Sequence, residues 1–323
     1  MKENELIKIL SDLDIRIWAE GEKLRWNAPN GIVTHEILAQ LKEHKSEILA
    51  LLKAKEIGEE TMVEVSISAP QVVKRGLGDL PSVYRPCRIS EVYGQDEIKK
   101  AIAHGLDTGT LAHVLLFQGV SGTGKTTMAR IVAMGLNCEK GTTSEPCCEC
   151  DFCKAVLNGN SFAFQEFDAA HLPGVNNVRG VTGDLCAAPM GGERKRIVLF
   201  DECHRLSDPA QAALLKPTED VREHVYVILC TTEKEDVLKP LQNRCMQFRF
   251  NALSDEEIRA LLLDVCAAEK LDPNPALIEN MIAEAKGMAR NALFLLQEAI
   301  HKARPHDDNQ KVVPLLDKVV LGE

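Results

Sequence analysis

Aromatic side chains are scarce, at 4% of 323 residues, and basic groups are outnumbered by acidic ones, 38 to 48. The resulting net charge of -10 argues against a surface that coats nucleic acid, although charge alone does not exclude a local basic site. No stretch approaches the roughly 20 apolar residues of a membrane helix. The opening Met-Lys-Glu-Asn-Glu lacks the basic-then-apolar pattern of a signal peptide. We therefore expect a cytoplasmic protein without membrane contact.

The chain does have the material for several compact cores. Hydrophobic residues make up 45% of a length that exceeds the usual single domain, which predicts two or three units. There are also 11 cysteines. Without an export signal, so many cysteines indicate reduced thiols and metal ligation rather than a disulfide framework.

A glycine-rich segment indicates a nucleotide site. Residues 119–126 read Gly-Val-Ser-Gly-Thr-Gly-Lys-Thr and fit G-x-x-x-x-G-K-[ST], between an apolar run at 113–118 and a helical pattern at 128–136. Lys125 would reach the β and γ phosphates of ATP, and Thr126 would ligate Mg²⁺, while loop N–H groups face the phosphates. The predicted nucleotide-binding residues of this loop are Gly119, Ser121, Gly122, Thr123, Gly124, Lys125, Thr126 and Thr127.

A second motif supplies two carboxylates at the end of an apolar strand, in Arg-Ile-Val-Leu-Phe-Asp201-Glu202. Asp201 would hold Mg²⁺ through water, and Glu202 would polarise the water that attacks the γ phosphate. The letters Asp-Glu-Cys-His also spell a DECH helicase box. Only about 120 residues follow it, too few for a second motor domain, which disfavours a helicase.

Four cysteines have the spacing C-x8-C-x2-C-x2-C, which predicts a closed tetrahedral zinc site. They are Cys138, Cys147, Cys150 and Cys153. The alternative is a set of small buried hydrophobic residues, but the stretch 147–153 is polar and rich in turns, so we expect it to be exposed. Cys148 is a spare thiol.

The order of patterns predicts an α/β nucleotidase with a parallel sheet. Apolar strands are expected at 113–118, 164–167, 196–200, 225–230 and 246–250, and their continuous hydrophobicity implies that both sheet faces are covered. We divide the chain into a module at 1–54, a linker at 55–80 in which an extra strand is possible, a nucleotidase domain at 81–250 with a zinc insertion at 138–153, and a helical lid at 251–323. Ser254 and Glu257 predict a capping box at the start of the lid.

The N-terminal module is predicted to be α+β, with a helix at 5–12, short strands at 15–19 and 23–27, and a second helix from Thr34. The stretch LIKILSDLDIRIWAEGEKLRWNAPNGIVTHEILAQLKEHKSEILALL resembles the TubC-type N-terminal docking domain of assembly-line synthetases. The resemblance implies an adaptor that binds another, unknown chain. The alternative is a helical hairpin that packs on the main body.

Motifs spread over about residues 80–300 resemble the gamma/tau ATPase subunit of bacterial DNA polymerase III clamp loaders. They are Val83-Tyr-Arg-Pro86, Val92-Tyr-Gly-Gln95, the glycine-rich loop, Gly135-Leu-Asn-Cys138, the four cysteines, Phe167-Asp-Ala-Ala170, Asp201-Glu-Cys-His204, Ala213-Leu-Leu-Lys216, Thr231-Thr232 and Asn243-Arg-Cys245.

This resemblance implies an AAA+ ATPase fold and assigns further roles. The segment Tyr84, Arg85 and Pro86 would flank the adenine, Thr232 would act as sensor 1 and Arg290 as sensor 2. Arg244 would be the arginine finger that completes a neighbour's site. Without the resemblance, Arg244 and Arg290 would be interpreted as surface or salt-bridge residues. The implied partners are other AAA+ loader subunits or further copies of this chain, a sliding clamp and primer–template DNA.

Three features depart from the family pattern. Asn243 stands where the finger motif has serine, which keeps a small polar side chain before Arg244. Pro217 predicts that its helix ends near Lys216. The sequence also stops about 30 residues after Arg290, so we expect the helical collar of loader subunits to be absent.

The sequence thus predicts an ATP-hydrolysing, clamp-loader-like subunit in DNA replication. Loss of the collar and exchange of the N-terminal module would be tolerable in a chain that is encoded by a phage or mobile element. The alternative is an ATP-responsive adaptor or scaffold that recruits a replication partner through the docking module and has little turnover.

Overall fold

In a computed structural model of the chain, the structure describes residues 16–20, 23–27, 70–75, 78–171, 174–184 and 195–303. The chain divides into two compact units, Met1–Ser66 and Ile67–Glu323. In the first unit, β1 (Arg16–Glu20) and β2 (Lys23–Asn27) pair antiparallel, which confirms the two predicted strands. The two predicted helices of this module, the linker residues before 70 and the residues after 303 lie outside the described part.

The second unit is built on a five-stranded parallel sheet, as the apolar strands predict. Its strands are β3 (Val114–Gly119), β4 (Phe164–Asp168), β5 (Arg196–Asp201), β6 (Val225–Thr231) and β7 (Met246–Phe250). Their order across the sheet is β4-β5-β6-β3-β7, and Leu116 of β3 lies opposite Leu229 on one side and Gln247 on the other. Because all five strands are parallel, the loops that follow them meet at one edge, where open α/β sheets bind ligands.

Helices cover both faces of this sheet. They are α2 (Asp96–Thr108), α3 (Lys125–Asn137), α4 (Asp151–Leu157), α5 (Val175–Asp184), α6 (Asp208–Glu219) and α7 (Lys239–Gln242). The short helix α1 (Leu80–Val83), which precedes them, packs elsewhere. Alternate strand residues enter two different cores: Leu115 packs with apolar residues of α2 and α3, whereas Leu116 packs with residues of α6 and α7. All seven residues of β6 are buried, which is why this central strand is almost wholly apolar. The edge strands β4 and β7 have polar and exposed residues, so the predicted continuous hydrophobicity does not hold for them.

Helix α6 corrects one prediction. It runs through Pro217 to Glu219, so the prediction that it ends near Lys216 is wrong. The proline lies in the last turn, where its missing N–H removes a single helical hydrogen bond. The hydroxyl of Thr218 also donates to the carbonyl of Leu214 at 2.8 Å, which adds a local contact in that turn.

Three helices follow the sheet: α8 (Asp255–Ala268), α9 (Pro275–Ala285) and α10 (Ala289–Ala303). The predicted capping box opens α8, with the Ser254 N–H donating to Glu257 at 2.8 Å and the Glu257 N–H donating to Ser254 at 3.2 Å. Gly287, with φ 73°, turns the chain between α9 and α10, and a Cβ there would lie 2.6 Å from the carbonyl of Leu253. These helices share one apolar core with Leu80 and Val83 of α1.

Candidate nucleotide site and cysteine cluster

The glycine-rich motif forms the loop from β3 into α3, at the carboxyl edge of the sheet. Gly122 and Gly124 have φ angles of 82° and 100°, which other residues adopt only at a cost. A Cβ on Gly119 would lie 2.3 Å from the carbonyl oxygen of Phe250. Backbone shape and close packing therefore require these glycines, and such a turn can present successive N–H groups to an anion.

The Lys125 ammonium lies folded over this loop. It donates to the carbonyl oxygens of Gly119 at 2.8 Å and Val120 at 3.0 Å, and the residue is 5% exposed. Burial lowers the pKa of Lys125, partly offset by the charges of Glu202 and Asp201. An anion bound in the loop would stabilise the charged ammonium in place of the hydration that burial removes.

The two groups predicted to hold magnesium lie in contact. The Thr126 hydroxyl, in the first turn of α3, donates to Asp201 Oδ2 at 2.7 Å. Asp201 is the last residue of β5, which is separated from β3 by β6 alone. A hydroxyl and a carboxylate are oxygen ligands that suit Mg²⁺, which keeps several waters.

Next to this pair, the Glu202 carboxylate is held by residues of two loops. Its backbone is left-handed, with φ 50°. Thr232, which follows β6, donates to Glu202 Oε2 at 3.1 Å, and Nδ1 of His204 lies 3.5 Å from the same oxygen. His204 also lies 3.1 Å from the Thr231 hydroxyl. No role was predicted for His204 beyond its place in the DECH motif, and its position two residues after Glu202 was the one available signal.

A pocket lies between the sheet edge and the helices that follow the sheet. Its walls bring together the predicted residues Tyr84, Arg85, Pro86, Ser121, Gly122, Thr123, Gly124, Lys125, Thr126, Thr127, Asp201, Glu202 and Arg290. The Tyr84 hydroxyl donates to Glu269 at 2.6 Å, and burial together with this bond raises the pKa of Tyr84. Thr232 does not line the pocket itself but donates a hydrogen bond to Glu202, which does. Gly119 lies at the start of the glycine-rich loop, packed against Phe250.

Arginine side chains contribute positive charge to the pocket wall. Burial, followed by repulsion from Arg130 and Arg290, lowers the pKa of Arg85. Arg130 is paired with Glu166, with Nη2 2.8 Å from the carboxylate. The charges of Arg130 and Arg290 are a secondary cause of this lowered pKa, and a bound polyanion would offset them.

Part of the predicted linker also lines the pocket, which the sequence did not indicate. Gln71, Val72, Val73 and Arg75 contribute to its wall. Arg75 is paired with the buried Glu91 at 2.5 Å, and the neighbouring Lys74 with Glu269 at 2.6 Å. The only signal in the sequence is a valine pair before two basic residues, which is too short to constitute a motif.

Arg244 does not line this pocket. It lies between α7 and β7, where it donates to the carbonyl of Pro240 at 2.8 Å and to Glu219 at 3.0 Å. Its side chain is 31% exposed. Within one chain, the structure therefore does not bring Arg244 to the phosphate loop.

The four predicted cysteine ligands converge at the other end of α3. Their sulfur atoms lie within 4.8 Å of one another. Cys138, Cys147 and Cys153 are buried and Cys150 is half-buried, so the expectation that this stretch is exposed is wrong. Polar turns still bury sulfur because the loop packs on the core beneath α3 and α4.

The donor chemistry of this cluster fits a metal thiolate site. The N–H groups of Glu149 and Cys150 donate to the Cys147 sulfur at 3.4 and 3.3 Å. Although burial acts in the opposite direction, these donors help lower the pKa of Cys147 to about 6. Four converging sulfurs with N–H donors are the ligand set of structural zinc.

Comparison with known families agrees with this geometry. A family model described as DNA polymerase III, delta subunit, matches residues 94–254, and the TubC N-terminal docking domain matches residues 4–54. Residues 94–254 are thus similar to a DNA polymerase III subunit domain.

Individual relatives support the same assignment. The DNA polymerase III tau subunit of Escherichia coli K12 is 36% identical over 233 residues, covering 72% of this chain and 36% of that protein. The gamma subunit of Buchnera aphidicola subsp. Acyrthosiphon pisum is 34% identical and covers 72% of this chain and 64% of its own length. The Bacillus subtilis tau subunit is 37% identical, with coverage of 68% and 38%. The chain therefore spans about a third of these tau relatives and just under two thirds of the gamma relative.

Solved structures show the same fold at lower identity. The Thermotoga maritima RuvB Holliday junction branch migration motor superposes with a TM-score of 0.51 and 20% identity, over 68% of this chain and 65% of that one. Residues 67–323 thus have the P-loop fold with a parallel sheet that was predicted, and residues 4–54 are similar to the TubC N-terminal docking domain. Among the described residues, no helix has the length and apolar character to cross a membrane.

Proposed function

We propose that the chain binds and hydrolyses ATP at the pocket between the sheet edge and the lid. One observation supports this most: the phosphate loop, the Thr126–Asp201 contact and the Glu202 cluster all face one pocket. The loop would hold the β and γ phosphates together with Lys125. Thr126 and Asp201 would hold Mg²⁺, which neutralises charge on the phosphates.

Glu202 is the proposed base that orients the attacking water. Its carboxylate is fixed by Thr232, the sensor 1 residue of the proposal. Arg290 is the proposed sensor 2 residue, because α10 places it in the pocket beside the phosphate loop. Phosphoryl transfer depends on positioning and charge stabilisation rather than covalent chemistry, and these groups supply both.

Arg244 is proposed to complete the site of a neighbouring subunit. Its absence from the pocket wall of its own chain and its partly exposed side chain support a role in trans. The neighbour would be another AAA+ loader subunit or a second copy of this chain.

We propose that the ATPase is a clamp-loader-like subunit in DNA replication. Identity of 34–37% to gamma and tau subunits over about 70% of the chain supports this role. The cysteine cluster would hold one structural Zn²⁺, since four sulfurs leave no open coordination position. The docking domain would recruit a further protein.

ATP turnover with a sliding clamp and primer–template DNA tests this function. We expect turnover that rises when both are added, since loader subunits use ATP binding energy to remodel such partners. Lys125→Ala is the control and should lose nucleotide binding. An adaptor would bind ATP without turnover and without stimulation by clamp and DNA, and that result would contradict the proposal.

A further inference from the structure

One wall of the nucleotide pocket is formed by a segment that was predicted to belong to a linker. Four residues of the segment 71–75 line the pocket: Gln71, Val72, Val73 and Arg75. The segment lies outside both regions that match known families, which are residues 4–54 and 94–254. Its role therefore depends on its own contacts with the rest of the second unit.

The two ends of this pocket differ in polarity. The phosphate loop, Asp201 and Glu202 form the polar end. The apolar part of the wall includes Val72, Val73, Val92, Leu253, Leu261 and Leu293. Val72 packs against the core that contains these three leucines, so the segment belongs to the apolar end. A heteroaromatic base with a triphosphate tail has the same division between apolar surface and charge.

Ion pairs hold the segment at that end. The Arg75 guanidinium pairs at 2.5 Å with Glu91, whose side chain is 6% exposed. The Lys74 ammonium pairs with Glu269 at 2.6 Å, on the carboxylate oxygen that also accepts from the Tyr84 hydroxyl. Glu269 is the C-cap of α8, so the segment is tied both to the lid and to the residues before α2.

Val73 differs from its neighbours because its side chain is 40% exposed although it lines the pocket. Its backbone is fixed, since its carbonyl oxygen accepts from Arg75 Nη1 at 3.3 Å. Covering an exposed apolar side chain with a ligand is favourable because it removes apolar surface from water. Val72 is already packed on the core, so Val73 is the residue of this segment whose apolar side chain remains open to a ligand.

We propose that segment 71–75 contacts the base of the bound nucleotide, with Val73 covering a face of the base and Lys74 and Arg75 positioning the segment. This role rests on the proposed ATP site and extends that site into the predicted linker. A triphosphate without a base would occupy only the polar end and would not contact the segment. ATP would be held at both ends, so part of its affinity depends on residues that follow the docking domain in the chain.

The nucleotide affinity of the full chain tests the role of Val73. Val73→Ala removes two methyl groups from the wall and should weaken ATP binding about three- to tenfold. The affinity for inorganic triphosphate, measured by competition, should stay at the wild-type value. The loss for ATP should appear in KM with kcat little changed, because a base contact is the same in the ground state and the transition state. Leu263→Ala is the matched control, since Leu263 is 41% exposed but does not line the pocket.

Lys74→Ala tests how the segment is positioned. Breaking the ion pair with Glu269 should weaken ATP binding about two- to threefold, a smaller effect because Arg75 still holds the segment. Lys302→Ala, which removes an exposed lysine from an ion pair with Glu298 in α10, should bind ATP like the wild type. An equal loss in both variants would mean that net charge alters the affinity, and it would contradict the proposal.

Two results with Val73→Ala would overturn the proposal. Wild-type affinity for ATP would place the base elsewhere, and an equal loss of ATP and triphosphate binding would mean that the substitution damages the whole pocket. The proposed ATPase fails by a different result, namely a wild-type chain that does not bind ATP or a Lys125→Ala variant that binds it normally. That result would remove both proposals.

Limited digestion with trypsin gives a second measurement that needs no variant. Lys74 and Arg75 are themselves cleavage sites, and the Lys74 side chain is 49% exposed. Saturating ATP should slow cleavage after these residues by about threefold or more, whereas inorganic triphosphate should not, with cleavage after Lys302 as the reference. Equal cleavage rates with and without ATP would contradict the proposal, because the segment would then be unaffected by a bound base.

Discussion

The two ends of helix α3 carry two different kinds of site. At its first residue, Lys125 lies in an open pocket among charged groups. Directly after its last residue, Cys138 is fully buried among sulfur atoms. The helix has 13 residues, so about 20 Å separate the sites.

The difference indicates which kind of ligand each proposed site suits. The open end has lysine and arginine side chains whose pKa values are lowered by burial or repulsion, which suits an anionic ligand that enters and leaves. The closed end offers four sulfurs in a packed core, which suits a metal that stays bound. Changes at the first end should therefore alter turnover, and changes at the second should alter metal content and stability.

The largest effect on turnover is expected from Arg244→Ala. If this arginine acts on a neighbour's γ phosphate, hydrolysis should fall by about 10³ to 10⁵. Mixing this variant with Lys125→Ala should restore some turnover, and wild-type activity should rise with protein concentration. Arg259→Ala, at an exposed ion pair of the lid, is the control. A concentration-independent rate without recovery on mixing would place the whole site in one chain.

A smaller effect is expected at His204. Replacement by glutamine should lower kcat by about tenfold or less, with KM for ATP little changed, since the hydrogen bond to Thr231 that holds His204 beside Glu202 contributes about 0.5–1.5 kcal/mol. The neighbouring Arg205→Gln, at an exposed position, is the control. A proportional loss of folding stability with unchanged kcat would make His204 a packing residue.

At the closed end, Cys150→Ser should lose the metal and lower the melting temperature, because a structural zinc site contributes folding free energy. Turnover should fall only indirectly. Metal analysis of the native chain should give about one zinc, with sulfur ligands at about 2.3 Å. Cys266→Ser should cost stability without metal loss. Full zinc content in Cys150→Ser would move the site elsewhere.

The smallest effect on the nucleotide site is expected from deletion of residues 1–54. ATP affinity should stay within about twofold, since the second unit has its own core. The assembly mass in light scattering, or the recovery of a bound partner, should fall. If the truncated chain keeps both its mass and its partners, the docking hypothesis fails.

The features that could be predicted from the sequence are those that depend on a local pattern of residues. The five strands, the capping box and the convergence of the four cysteines follow from local patterns with a fixed period or spacing. The predicted end of α6 near Lys216 was wrong because the energetic cost of a proline depends on its position within the helix, which only the structure shows.

Other features depend on contacts between distant segments. The burial of the cysteine loop arises from packing on the core, and polar turn residues do not reveal it. The segment 71–75, part of which lines the pocket, is held by two ion pairs between residues far apart in sequence. Arg75 pairs with Glu91, 16 positions later, and Lys74 pairs with Glu269, 195 positions later. His204 lies next to Thr231 because β5 and β6 are neighbours in the sheet, and the sequence alone does not show that pairing.

The most direct test of ATP hydrolysis at the open end is a comparison of the wild-type chain with Glu202→Gln. Both should bind ATP with the same affinity, because the change removes a charge that activates water and leaves the phosphate loop intact. Turnover should fall by about 10² to 10⁴ in the variant. Glu97→Gln, at an exposed position of α2, should match the wild type in both assays. Equal turnover in the wild type and Glu202→Gln would contradict the account.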